Sequence, residues 1–180
     1  SDITLGVMAN PFYLDMGYSE LEIGLVTKTV GPIVTIAGAL LGGALVMRYS
    51  IMRMLMAGAV LVVITNLLFA WLAMQEAELL WLIMVVGADN LAAGIATTSF
   101  VAYLSGLTNK AYTATQYALF SSIMLLLAKF VAGFSGLIVD ATNYPIFFAY
   151  AAMLGLPSIF LIGFLERHEE AASYQQREST

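Results

Sequence analysis

The chain has 180 residues, of which 61% are hydrophobic and 11% charged, and a formal net charge of −5. A soluble domain is about half apolar and about a quarter charged, so an ordinary water-soluble fold is excluded. No Cys and a single His, His168 near the C-terminus, exclude a disulfide framework and a thiolate or imidazole metal cluster, and there is no basic stripe for nucleic acid.

A bilayer-spanning helix needs about 20 apolar residues, and such stretches fall at 21–47, 54–74, 79–107, 113–139 and 146–165. The stretch 3–16 is too short alone. Because the chain opens on Ser1-Asp2, that piece reads as the end of a sixth span that begins upstream. The expectation is an all-α membrane protein, with a six-helix bundle over 1–165 and a polar tail over 166–180. Of the seven Lys and Arg, Arg48 and Arg53 share one connection, Lys110 sits in another, Arg167 and Arg177 lie in the tail, and Lys28 and Lys129 fall inside spans. The opposite connections carry Asp15, Glu20, Glu22, Glu76, Glu78 and Asp140. The positive-inside rule then puts the tail and the Arg48/Arg53 loop in the cytoplasm.

Segments 18–25 and 112–119 align, each opening a span with the S/T-x-x-E/Q spacing of a capping box, Ser19 with Glu22 and Thr113 with Gln116. The same offset lays Gly42 on Gly136. One segment starts outside and the other inside, so two inverted three-helix repeats are expected, a common plan of secondary transporters.

Counting about 1.5 Å per residue from the outer face places Lys28, Asp89 and Lys129 at one depth, about 13–16 Å down, near the middle of a hydrocarbon layer about 30 Å thick. A charge there is tolerated mainly against a partner or a wet cavity. One reading is a Lys and Asp pair that fixes helix packing. The other is a polar cavity in which a carboxylate exchanges a proton or a lysine holds an anionic group, and three positions at one depth favour it. Asp2 is a fourth candidate. Spans 54–74 and 146–165 hold no ionisable residue apart from their flanks and are expected on the outside, against lipid. Asn90, Thr97, Thr98, Ser99 and Tyr103 follow Asp89, and Gln116, Tyr117, Ser121 and Ser122 open the next span. Gly31-Pro32 predicts a break, and Gly38 with Gly42-Gly43 a small-residue packing face. Gly133-Phe134-Ser135-Gly136 matches the G-x-S-G string of rhomboid-type intramembrane proteases. A serine nucleophile needs a histidine base within reach, and His168 lies beyond the last span, so no enzyme is expected.

The loop 42–53 resembles the cytoplasmic glycine and arginine motif of the major facilitator superfamily, without its usual Asp. Within that superfamily, Ala88-Asp89-Asn90-Leu91-Ala92-Ala93-Gly94, Phe100-Val101-Ala102-Tyr103-Leu104, Asn109-Lys110 and Ala114-Thr115-Gln116-Tyr117-Ala118-Leu119 resemble the AmpG muropeptide permeases. Residues 11–17 and 136–141 fit the same pattern, so the resemblance covers nearly all of 1–165. It implies the C-terminal six-helix half, spans 7 to 12, of a proton-driven importer of GlcNAc-anhydromuropeptides in the bacterial inner membrane, working with an N-terminal six-helix half and without a cofactor. Asp89 and Asp2 would take the proton. Lys28, Asn90, Gln116, Tyr117 and Lys129 would contact the sugar or the peptide carboxylate, and Gly43, Arg48 and Arg53 would form a cytoplasmic gate. Acetyl-CoA and siderophore carriers are relatives with other substrates, and a membrane scaffold or sensor that has lost transport is the alternative.

Overall fold

The computed structural model describes residues 2–107 and 113–178, with side chains over 3–106, 114–123 and 125–167. The Asp2, Thr113, His168 and Arg177 side chains and all of Lys110 lie outside what is described. Every regular element among the described residues is helical. The order is α1 (Asp2–Asp15), α2 (Glu20–Leu25), a π-helical turn (Val26–Val30), α3 (Gly31–Arg48), α4 (Ile51–Leu72), α5 (Leu79–Leu107), α6 (Thr113–Ala132), α7 (Ser135–Ala141), α8 (Tyr144–Met153) and α9 (Leu156–Glu178).

Five stretches are long and apolar enough to cross a bilayer: Glu20–Arg48, Ile51–Leu72, Leu79–Gly106, Ala114–Ala141 and Tyr144–Arg167. The expected sixth is not among them. With 14 residues, α1 is about 21 Å long at the α-helical rise, short of the hydrocarbon thickness.

Local chemistry explains the element ends. Ser19 Oγ accepts the Glu22 N–H at 3.3 Å while Glu22 Oε2 accepts the Ser19 N–H at 2.9 Å, so the expected capping box opens α2. Ser50 Oγ accepts the Arg53 N–H at 3.3 Å to start α4, and Asn143 Oδ1 the Ile146 N–H at 3.0 Å to start α8. The hairpin from α1 to α2 turns at Gly17, whose φ of 96° is open to glycine. At Gly31-Pro32 the helix does not break. Pro32 has no N–H for the Lys28 carbonyl, and the chain answers with the π turn, in which the Gly31 N–H reaches back to the Val26 carbonyl. Breaks occur instead at Gly133-Phe134, between α6 and α7, and at Leu154-Gly155, between α8 and α9. In the latter, Pro157 denies the Met153 carbonyl its helical donor.

Helix α5 is the hub. It packs on α3 and α4; α4 packs in turn on α8 and α9, and α1 lies against α6, α7 and α8. The α3/α5 crossing is tight because Gly38, Gly42 and Gly94 present no side chain there. A Cβ on Gly42 would lie 2.9 Å from Ile95 Cα, and Gly58 of α4 faces Ala96 equally closely, at 2.8 Å. Lipid is as apolar as a helix side chain, so such close backbone approach, not hydrophobic exclusion, holds membrane helices together. Gly136, paired with Gly42 in the repeat alignment, has open space around it. Near the loops 16–19, 73–78 and 142–143, the acidic end, Phe12, Phe69 and Phe148 form a buried aromatic cluster with centroids 4.8–6.4 Å apart. Each ring pair contributes about 0.5–1.5 kcal/mol beyond its burial.

Burial within this chain does not follow charge. The spans Ile51–Leu72 and Tyr144–Arg167 are 33% and 28% buried over their most apolar windows, whereas Glu20–Arg48 and Ala114–Ala141 are 17% and 12% buried. Absence of charge marked the first pair as lipid-facing; α4 turns Thr65 and Asn66 inward, where both are buried, and leaves Val60, Ile64 and Leu67 exposed. The exposed spans are the two that carry Lys28 and Lys129.

Candidate functional site: a polar cavity around Asp89

A cavity of about 380 Å³ opens between α1, the π turn and α5. Its polar wall is Asn10 and Tyr13 from α1, Thr27 from the π turn, and Asp89 and Asn90 from α5, set among Leu5, Ala9 and Val86. Asp89 is half-buried, and its Oδ1 lies 2.9 Å from Thr65 Oγ1 on α4. Asn90 is held at both ends of its amide: Oδ1 accepts from Thr35 Oγ1 at 2.8 Å, and Nδ2 donates to the Val86 carbonyl at 2.8 Å. Gly31 clears the space beside it, since a Cβ there would stand 3.3 Å from Asn90 Oδ1. The arrangement can accept a proton at a carboxylate and offer amide, phenol and hydroxyl groups to a polar solute.

Of the site residues singled out in the sequence, Asp89 and Asn90 line this cavity. Lys28 is exposed on the π turn and Lys129 is exposed near the end of α6; neither lines the cavity. Gln116 and Tyr117 are half-buried in the first turns of α6, at the basic end, away from this cavity. The Asp2 side chain lies outside the described residues.

At the basic end, Gly43 faces Thr98 of α5 at ordinary contact distance, the Arg48 guanidinium lies 5.9 Å from the Tyr49 ring centroid, and Arg53 Nε is 4.0 Å from Glu166 Oε1 of α9. With 68% and 29% of the two side chains exposed, that ion pair contributes about 0–1 kcal/mol. At the acidic end Tyr144 donates to Asp15 Oδ2 at 2.5 Å and Tyr18 donates to the Glu78 carbonyl at 3.2 Å. Burial, with the Glu22 carboxylate nearby, pushes the Tyr18 phenol up and keeps it a donor. Ser135 of the G-x-S-G string is fully buried and donates to the Thr4 carbonyl at 3.4 Å, tying α7 to α1.

Over residues 1–180 the sequence matches the Major Facilitator Superfamily profile. The chain belongs to that superfamily. Within it the chain is AmpG-like: it is 34% identical over 164 residues to the AmpG 4 protein of Rickettsia conorii, covering 91% of this chain and 40% of that protein. It is 32% identical over 166 residues to the AmpG 4 protein of Rickettsia felis, covering 92% and 40%. Against the anhydromuropeptide permease of Escherichia coli K12 it is 33% identical over 147 residues, covering 82% and 30%. The chain thus spans less than half the length of these curated relatives. It is a multi-pass membrane chain of a transporter superfamily.

Thr65, Tyr13, Thr35 and Glu166 complete these networks; Tyr13 lies in the 11–17 stretch, and no motif in the sequence points to the other three. The signal for Thr65 is a polar Thr65-Asn66 pair inside an otherwise apolar span. Asn66 is fully buried, and neither its Oδ1 nor its Nδ2 has a hydrogen-bond partner among the described residues. An unsatisfied buried polar group costs about 1–3 kcal/mol. Asn66→Leu is therefore expected to stabilise the detergent-solubilised protein by about that amount, read as a rise in its unfolding midpoint. A fall would show that the amide finds a partner in another conformation.

Proposed function

We propose that this chain is the C-terminal six-helix half of a proton-coupled importer of GlcNAc-anhydromuropeptides in the bacterial inner membrane, with its C-terminus in the cytoplasm. The observation that carries the reading is Asp89, a carboxylate in a polar-walled cavity within an apolar helix bundle, in a chain similar to an anhydromuropeptide permease. Asp89 takes the proton, with Asp2 as the second acid, and Asn90 orients the wall beside it. Lys28 and Lys129 stand on the two least buried spans, the surfaces that an N-terminal half would cover. From there they meet the carboxylates of a peptide, with Gln116 and Tyr117 as further polar contacts. Arg48 and Arg53 at the basic end, with Gly43 packing the helix behind them, close the cytoplasmic side.

The test is uptake of labelled GlcNAc-anhydroMurNAc-peptide into proteoliposomes that hold the full-length protein, with and without an inward proton gradient. Gradient-dependent accumulation is the expected result. No uptake by a folded, inserted protein would overturn the substrate, and uptake indifferent to the gradient would overturn the coupling. Residues 1–180 alone are expected to transport nothing in the same assay.

A further inference from the structure

Thr65 Oγ1 lies between two acceptors, 2.9 Å from Asp89 Oδ1 on α5 and 3.1 Å from the carbonyl of Val62 one turn back on α4. The side chain is 3% exposed, so water does not complete the set. A helical threonine commonly bonds the carbonyl three or four residues earlier, and that contact needs no functional explanation. The carboxylate on a neighbouring helix does. A hydroxyl has one hydrogen to donate and can also accept, so it cannot donate to both oxygens at once.

We infer that Thr65 is a positioning residue that holds Asp89 in both of its protonation states by reversing the direction of one hydrogen bond. With Asp89 ionised, the Thr65 hydroxyl donates to Oδ1. When a proton arrives on Oδ1, the new carboxyl O–H donates to Thr65 Oγ1, and the threonine hydrogen turns to the Val62 carbonyl. Thr65 keeps its own hydrogen throughout, so the one proton gained belongs to Asp89. Neither state leaves a buried donor or acceptor bare at this contact, which spares the cost of an unsatisfied group. Proton binding therefore alters charge in the cavity without prising α4 from α5.

Tyr13 and Asn10 come from α1 and Thr27 from the π turn, and among the described residues lining the cavity Tyr13 is the one other titratable side chain. Asn90 on the same helix is committed to Thr35 and Val86.

The inference rests on the reading of Asp89 as the proton site and deepens it. The test is an infrared pH titration of the carboxyl C=O stretch in the full-length protein, with Asp89→Asn identifying the band. Thr65→Val keeps the shape and removes the donor to the carboxylate. Its protonated C=O band is expected to shift in frequency as the carboxyl O–H loses its acceptor. The bond donated to the ionised carboxylate is about 1 kcal/mol stronger than its reverse in the neutral acid, so the titration midpoint is expected to move to higher pH by about half to one unit. Thr65→Ala, which drops the branched shape as well, is expected to move it the same way, and Thr65→Ser to restore the wild-type midpoint. A protonated C=O band left at its wild-type frequency in Thr65→Val, or a Thr65→Ser variant displaced in band and midpoint as far as the valine's, would overturn the inference. Loss of the coupling reading shows separately, as gradient-driven uptake that survives Asp89→Asn, while the band still reports Thr65's hold on the carboxyl.

Discussion

In full-length protein reconstituted into liposomes, Asp89→Asn is expected to reduce accumulation under an inward proton gradient to the level of the de-energised control. Exchange of labelled for unlabelled substrate should continue. The substitution removes the titratable group and little else: the side chain keeps its length, and its amide oxygen can still accept from Thr65 Oγ1, now 2.9 Å from the carboxylate. It also removes a charge from the apolar interior, where an ionised side chain costs about 2.5–3.5 kcal/mol on insertion scales, so the variant should be at least as stable as wild type in detergent. Loss of driven uptake in a protein of unchanged stability assigns the coupling to Asp89. Wild-type stimulation by the gradient would move it elsewhere, with Asp2 the next residue to change.

The largest structural effect is expected at Gly94. A Cβ there would overlap the Thr35 carbonyl oxygen and stand 2.7 Å from Ala39 N and 2.9 Å from Gly38 C. All three are backbone atoms of α3, so no side-chain rotation relieves the clash, and the helices must separate. Gly94→Ala should therefore cost about 3 kcal/mol, measured as a lowered unfolding midpoint and a smaller monodisperse fraction. It should also disturb the cavity, because Thr35 is the residue that holds the Asn90 amide. Gly87, two turns earlier on the same helix, has open space where a Cβ would stand, with nothing within 4 Å. Gly87→Ala is the control, and the better helix propensity of alanine should leave stability equal or raised by about 0.5–1 kcal/mol. Equal midpoints for the two variants would show that the α3/α5 crossing can loosen at little cost.

Both effects turn on α5, yet Gly87 and Gly94 look alike in the sequence. Gly87 and Gly94 sit in the same apolar run, and only the path of α3 makes one indispensable. The small-residue face of Gly38 and Gly42 was legible because spacing along one helix puts both on one side; its partner Gly94 was not. The π turn shows the same division. Pro32 announces a disturbance locally, but whether the chain breaks or re-registers depends on what the next turns can pack against, here Asn90 beside Gly31.

What the sequence determined by itself is what local composition encodes: helices of membrane-crossing length, the Ser19–Glu22 cap, the separation of acidic and basic ends, and Asp89-Asn90 as a polar interruption in an apolar span. These follow because the length of a hydrophobic run and the chemistry of a helix start are settled by consecutive residues. The tertiary structure alone decided that Asp89 meets Thr65 and shares a cavity with Tyr13, that Lys28 and Lys129 do not line that cavity, and that α4 turns Thr65 and Asn66 inward. In a soluble helix an apolar stripe would have marked the buried side. Here lipid and protein interior are equally apolar, so the rotation of each helix leaves almost no trace in hydropathy, and close backbone contacts across helices fix it instead.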